Sequence, residues 1–174
     1  GPAQVSASLN SHSFSELADG ELTLWSFDTH VRRRLELPHQ SPAVATAFSS
    51  DGLTMVVVIP GQVLLYDTTT DSLSKSFLLP GLQIDFVAIS NSKQTIALAD
   101  SPGSVRLLTI SDGSLTQTLP GSGKVLDLSF SPDDRIIASS AGSEINLFDA
   151  HTGILIKKLT KHDAAVNAIA FSAN

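Results

Sequence analysis

The chain has 174 residues, a one-domain length, and 42% of them are hydrophobic, enough for a packed core rather than a disordered chain. A formal net charge of −6 with a pI of about 5.1 argues against a nucleic-acid partner, whose footprint is a basic stripe. Zero cysteines exclude disulfides and thiolate zinc sites, and no window approaches the roughly 18 apolar residues of a membrane span. With no charged-then-apolar leader at the N-terminus, a cytoplasmic protein is expected, with the nucleus as the other setting.

Gly1-Pro2 reads as a protease-cleavage scar, which leaves 3–174 for the fold. Next comes a weakly apolar strand, "QVSASL" from Gln4. "LADGELTLWS" (Leu17 to Ser26) follows as a hairpin and strand, with Trp25 read as core. The only basic run, Arg32 to Arg34, falls on an outer strand. It reads as edge protection, with a docking patch for an acidic partner left open.

From Val44 onward the chain repeats itself. "VATAFSSDG", "DFVAISNSK", "LDLSFSPDD" and "NAIAFSAN" place Phe48, Ile89, Phe130 and Phe171 at intervals of 41 residues, each followed by serine. A second landmark runs in step through Trp25, Tyr66, Leu108 and Phe148, at intervals of 41, 42 and 40. Each period reads as four short strands. In the fourth, a strand ending at Phe130 is followed by the turn "SPDD", the strand "RIIASS", the hairpin "AGSE", and then "INLFD", "AHTG" and "ILIKKL". Period-2 alternation with Gly, Asp, Ser and Pro punctuation every 8–12 residues is an all-β pattern, and no stretch shows capped helical periodicity. A four-stranded unit of this size cannot bury both its faces alone, so units must stack.

Few residues advertise chemistry. "GSGK" (Gly121 to Lys124) lacks the upstream glycine, the following Ser or Thr, and the helix of a phosphate loop. His12, His30, His39, His151 and His162 have no metal-ligand spacing, and no serine sits in G-x-S-x-G. Neither cofactor nor metal is expected.

The repeats resemble the WD-repeat β-propeller family. "LADGELTLWS" is similar to its Asp-Gly hairpin and third strand. "FSPDD" and "FDAHTG" are similar to its inner-strand turn and its Trp-Asp and Thr-Gly landmark, and "KHDAAVNAIAF" (Lys161 to Phe171) to its Gly-His-x-x-x-Val segment. The resemblance implies an all-β propeller of four-stranded antiparallel blades of about 41 residues. Its units would be approximately 3–42, 43–83, 84–124 and 125–165, followed by an inner strand at 166–171. It assigns structural places to Trp25, Tyr66 and Phe148. His39 and His162 have the spacing of the family's buried His, although no unit holds the complete His, Ser/Thr, Asp and Trp set.

Seven blades, the usual number, would need roughly 290 residues. The units are therefore expected to be part of a longer propeller, half of an eight-bladed ring closed by a homodimer, or an unusual four-bladed ring. In the second case, Val166–Phe171 of another copy takes the place of the weak first strand. By the resemblance, one rim is lined by Gln83, Asp85, Lys124, Asn167, Asp19 and Glu144, read either as a surface for a protein or peptide or as ordinary solvated loops. The implied function is a non-catalytic scaffold for protein–protein interaction. A sensor or autoinhibitory region of a larger protein, and a ligand or catalytic site in the channel, are the alternatives.

Overall fold

The computed structural model describes residues 4–8, 13–19, 21–26, 30–101, 103–121 and 123–172. Gly1, Pro2, His12, Gly20, Pro102 and Ser122, which enter the readings above, lie outside the described residues. The chain divides into two compact units, 1–84 and 85–174.

Unit 1 holds two antiparallel sheets. The first joins β1 (Gln4–Ser8), β2 (Ser13–Ala18), β3 (Glu21–Ser26) and β4 (Arg32–Arg34) in chain order. After a short 3-10 turn at Pro38–Gln40, the second joins β5 (Ala45–Phe48), β6 (Thr54–Ile59), β7 (Gln62–Asp67) and β8 (Ser72–Leu78). One face of the first sheet supplies Leu17, Leu22 and Leu24 to a shared core, and the second supplies Met55, Val57, Ile59, Leu64 and Tyr66. Alternate residues of neighbouring strands share a face, so this core follows from the period-2 pattern of the sequence.

Unit 2 opens within β9 (Ile84–Ile89), which pairs on with β10 (Thr95–Asp100), β11 (Val105–Thr109) and β12 (Leu115–Leu119). The last sheet is β13 (Val125–Phe130), β14 (Ile136–Ala141), β15 (Glu144–Asp149) and β16 (Leu155–Leu159). Ala97, Ala99, Val105 and Leu107 pack against Val125, Leu128, Phe130, Ile137 and Phe148. Phe148 is 1% exposed. The fold class is therefore all-β, four four-stranded antiparallel sheets, as the repeat implies.

The serine after each anchor closes the turn between the first two strands of its sheet. The Ser49 hydroxyl donates to Asp51 at 2.6 Å while accepting the Thr54 N–H at 3.0 Å. Ser131 repeats this with Asp133 at 2.6 Å and the Ile136 N–H at 2.9 Å. Ser90 accepts the Thr95 N–H at 3.0 Å and pairs with the Ser92 hydroxyl. Each of these serines is buried, so the two bonds satisfy a hydroxyl that would otherwise be costly. The second landmark marks a register shift: the third and fourth strands slip between Leu65 and Tyr66, Leu107 and Leu108, and Leu147 and Phe148.

Three expectations are corrected. Residues 166–171 form no strand: Val166 N–H bonds Gly142 O at 2.8 Å and Ile169 N–H bonds Asp127 Oδ2 at 2.7 Å, with no described strand beside them to complete a ladder. His39 and His162 are exposed rather than built into a core. His39 sits at φ 57° in the turn after Pro38, which carries its side chain to solvent, and Pro60 stands where its Asp partner would be. Trp25 is half-buried, stacked on Phe14 with ring centroids 5.6 Å apart, and donates from Nε1 to Glu16 at 3.1 Å. Tyr66 and Phe148 are buried in the cores of their units.

Candidate interaction surface

In unit 2, antiparallel pairing gathers the starts of β13 and β15 and the end of β14 at one end of the last sheet, where Val125 faces Ala141 and Ala141 faces Glu144. Three residues expected on a rim meet there. Lys124 is exposed just before β13. Glu144 is half-buried and held by Lys158 Nζ at 2.7 Å. Asn167 is exposed, next to the Val166 that bonds Gly142. Asp85 is half-buried on β9, at the corresponding end of the neighbouring sheet.

The loops at this end are held by contact between backbones. A Cβ added at Gly121 would stand 1.7 Å from Gly103 O, and one at Gly103 would stand 1.9 Å from Gly123 O. The glycines of "GSGK" thus serve close packing against the β10–β11 hairpin. The same hairpin carries Asp100, buried, which accepts Ser104 N–H at 3.0 Å and the Arg106 Nε at 2.7 Å. Sequence reading passed over this pair, although an Asp opening the hairpin and an Arg six residues on are both visible in it. Asp127 is half-buried, and burial raises its pKa above the ordinary carboxylate value despite hydrogen bonds from Ile169 and Leu128. At the opposite end of the sheet, Asp134 holds the neighbouring turn. It accepts the N–H groups of Asn91 and Ser92, each at 2.7 Å, and the Asn91 side-chain amide at 3.1 Å.

In unit 1, Asp19 is exposed at φ 51° in the β2–β3 hairpin. It borders a hollow of about 450 Å³ whose charged walls also include Glu21, Arg34 and Glu36, over Leu22, Leu35 and Leu37. Arg34 bonds Glu21 at 3.0 Å. Gln83 is exposed before β9. The arginine run is an exposed edge strand with each charge engaged: Arg33 with Asp71, Arg34 with Glu21, and Arg32 over the Trp25 ring at 5.3 Å. The hollow was not legible in the sequence, because its walls come from two separated segments.

Chemically these ends offer polar side chains on fixed backbone. Among the described residues no group of three His, Asp or Glu is placed to hold a metal ion, and no helix is long and apolar enough to cross a membrane.

Comparison with known proteins bears on the fold. Residues 113–149 match the family model described as WD domain, G-beta repeat. Among solved structures the chain is similar to a chain of the crystal structure of a mitotic checkpoint complex, with a TM-score of 0.83 at 19% identity. The match covers 95% of this chain and 52% of that one, so the chain spans about half the length of its match. No curated protein sequence matches. Propellers of this family generally act as non-catalytic platforms for other proteins. The chain thus carries a WD repeat at residues 113–149 and, in its four sheets, the WD-repeat β-propeller fold.

Proposed function

We propose that the chain is a non-catalytic interaction scaffold which binds a protein segment or peptide on the loop ends of its sheets. The observation that carries this is the end of the last sheet in unit 2. Lys124, Glu144 and Asn167 stand together there, Lys124 on a loop whose backbone touches the β10–β11 hairpin at Gly103 and Gly121. Fixed loops lose little entropy on binding, so a few polar contacts suffice for affinity. The mixed charge of Lys124 and Glu144 suits a peptide that carries both an acidic and a basic or amide side chain.

An array of immobilised decapeptides, probed with the 174-residue chain at physiological salt, tests the reading. Binding of a defined peptide class, weakened at least tenfold in a Lys124→Ala, Asn167→Ala double variant, is the expected result. Binding that the double variant leaves unchanged, or no binding at all, overturns it.

A further inference from the structure

The 41-residue period makes β1 and the 166–171 segment equivalent positions of the repeat, and their side chains differ in a telling way. At the anchor position stand Ala7, Phe48, Ile89, Phe130 and Phe171. β1 alone lacks the large apolar residue. In the other sheets the anchor faces a buried residue across the ladder, Phe48 opposite Met55 and Phe130 opposite Ile137. In the first sheet Ala7 is exposed opposite Phe14, which is only half-buried, and Val5 is 65% exposed. The 166–171 segment has the reverse defect. It carries Ile169 and Phe171 where β1 has Val5 and Ala7, yet no described strand pairs with it.

The faces around these two segments are unfinished in the same complementary way. On the last sheet Ile145 and Leu147 are half-buried, while their equivalents Leu22 and Leu24 in unit 1, and Val105 and Leu107 in unit 2, lie in the cores. On the first sheet Phe14 and Trp25 are half-buried, while Met55 and Tyr66, and Ile137 and Phe148, are buried at the same positions of their sheets. Each unit shows how such surfaces are satisfied: the Leu22 and Leu24 type of face receives the Met55 and Tyr66 type. The last sheet therefore presents a face that fits what the first sheet presents. On it Ser140 Oγ is buried with no hydrogen-bond partner among the described residues, and the first sheet carries a carboxylate, Glu16, where the second has Val57.

We propose that residues 166–171 of one copy of this chain replace β1 in a second copy, pairing with β2. The exchange seats the Ile145 and Leu147 face of the one on the Phe14 and Trp25 face of the other. It keeps the ladder on β2, since positions 168–172 of the incoming chain correspond one for one to Gln4–Ser8. It exchanges Val5 and Ala7 for Ile169 and Phe171, so the gain is apolar burial at a strand already lacking it. The exchange is reciprocal between two copies, so the assembly is a dimer with two such joints.

The chain has no cysteine, which gives a clean test. Val5 faces Glu16 in the β1–β2 ladder, so Ile169 of the incoming segment would face Glu16 of the other copy. Facing residues of antiparallel strands lie within disulfide reach. A Glu16→Cys, Ile169→Cys variant, oxidised and run without reductant, should migrate as a covalent dimer. Light scattering of the unaltered chain should give twice the 18.3 kDa of one chain. Trp25, the only tryptophan, should shift its emission to the blue as concentration rises. Phe171→Ala lies outside both cores, so it should leave the fold intact and weaken association at least tenfold. Three results overturn the proposal: a mass of one chain at every concentration; a cross-link formed only within one chain, which would mean that the segment pairs with its own first sheet; or a dimer that neither cross-links nor responds to Phe171→Ala, which would place the association elsewhere.

Discussion

Gly121 shows how residue type is set by backbone rather than by chemistry. A methyl group at Gly121 would collide with the Gly103 carbonyl, and neither loop can retreat without disturbing the strands that it joins. Gly121→Ala is expected to destabilise unit 2 by about 1–3 kcal/mol, the usual range for a forced overpacking. Urea unfolding followed by far-UV circular dichroism would show it, and an unchanged midpoint would mean that the loops do not meet. The glycines and the lysine of "GSGK" are visible in the sequence, but the contact is not, because the touching backbones are about twenty residues apart. His39 and His162 teach the opposite lesson. Their spacing fits a buried histidine, yet spacing along a chain does not say which way a side chain points, and the turn at φ 57° turns His39 outward.

At the scale of the strand and turn, three positions one period apart, Gly52, Lys93 and Asp134, all have positive φ, at 71°, 55° and 59°. The turn after each anchor thus needs a left-handed residue, which costs an ordinary side chain about 1–2 kcal/mol. Lys93→Gly is expected to stabilise the protein by about 0.5–1 kcal/mol, since the relief exceeds the extra freedom that glycine gains in the unfolded chain. Asp134→Gly makes the same backbone change with the opposite sign. It removes the carboxylate that holds Asn91 and Ser92 by three hydrogen bonds, and should cost about 1–3 kcal/mol. Thermal midpoints of the two variants moving in the same direction would refute this account. Periodicity made the four strands and the turns of each unit legible, since alternation and turn residues are local. The register shift at Tyr66, Leu108 and Phe148 was not, because a bulge is set by how the third strand meets the fourth.

Over the whole molecule, stability in acid is set by carboxylates in turns. In Asp149 the Thr152 N–H, in Asp67 the Thr69 hydroxyl and in Asp133 the Ser131 hydroxyl are the main causes that hold the carboxyl below its ordinary pKa. A depressed pKa in the fold means that these bonds stabilise the protein above the unfolded value of about 3.9 and are lost as pH falls below it. Asp127 acts the other way: burial raises its pKa, so its contribution is present in acid and fades as pH rises through the folded value. With three groups against one, the urea midpoint should fall as the pH drops below about 3.9. Asp149→Asn should flatten that fall, while an unchanged slope would remove Asp149 from the explanation. At this same scale the net charge of −6 is accompanied by an arginine edge strand on which Arg33 and Arg34 are each paired with a carboxylate.

The sequence by itself determined the repeat: its period, its all-β character, the turn after each anchor and the absence of cysteine chemistry. These depend on residues close together along the chain, or on one residue type recurring. Only the tertiary structure decided what lies between distant segments: the Gly103 and Gly121 contact, the Asp134 clasp, the hollow beside Asp19, the exposure of His39 and His162, and the lack of strand pairing at residues 166–171. The same distinction explains Trp25 and Phe148. They occupy one position of the repeat and are both large aromatics, yet Phe148 is buried and Trp25 half-buried. Burial is fixed by the neighbouring sheet, which the residue itself does not encode.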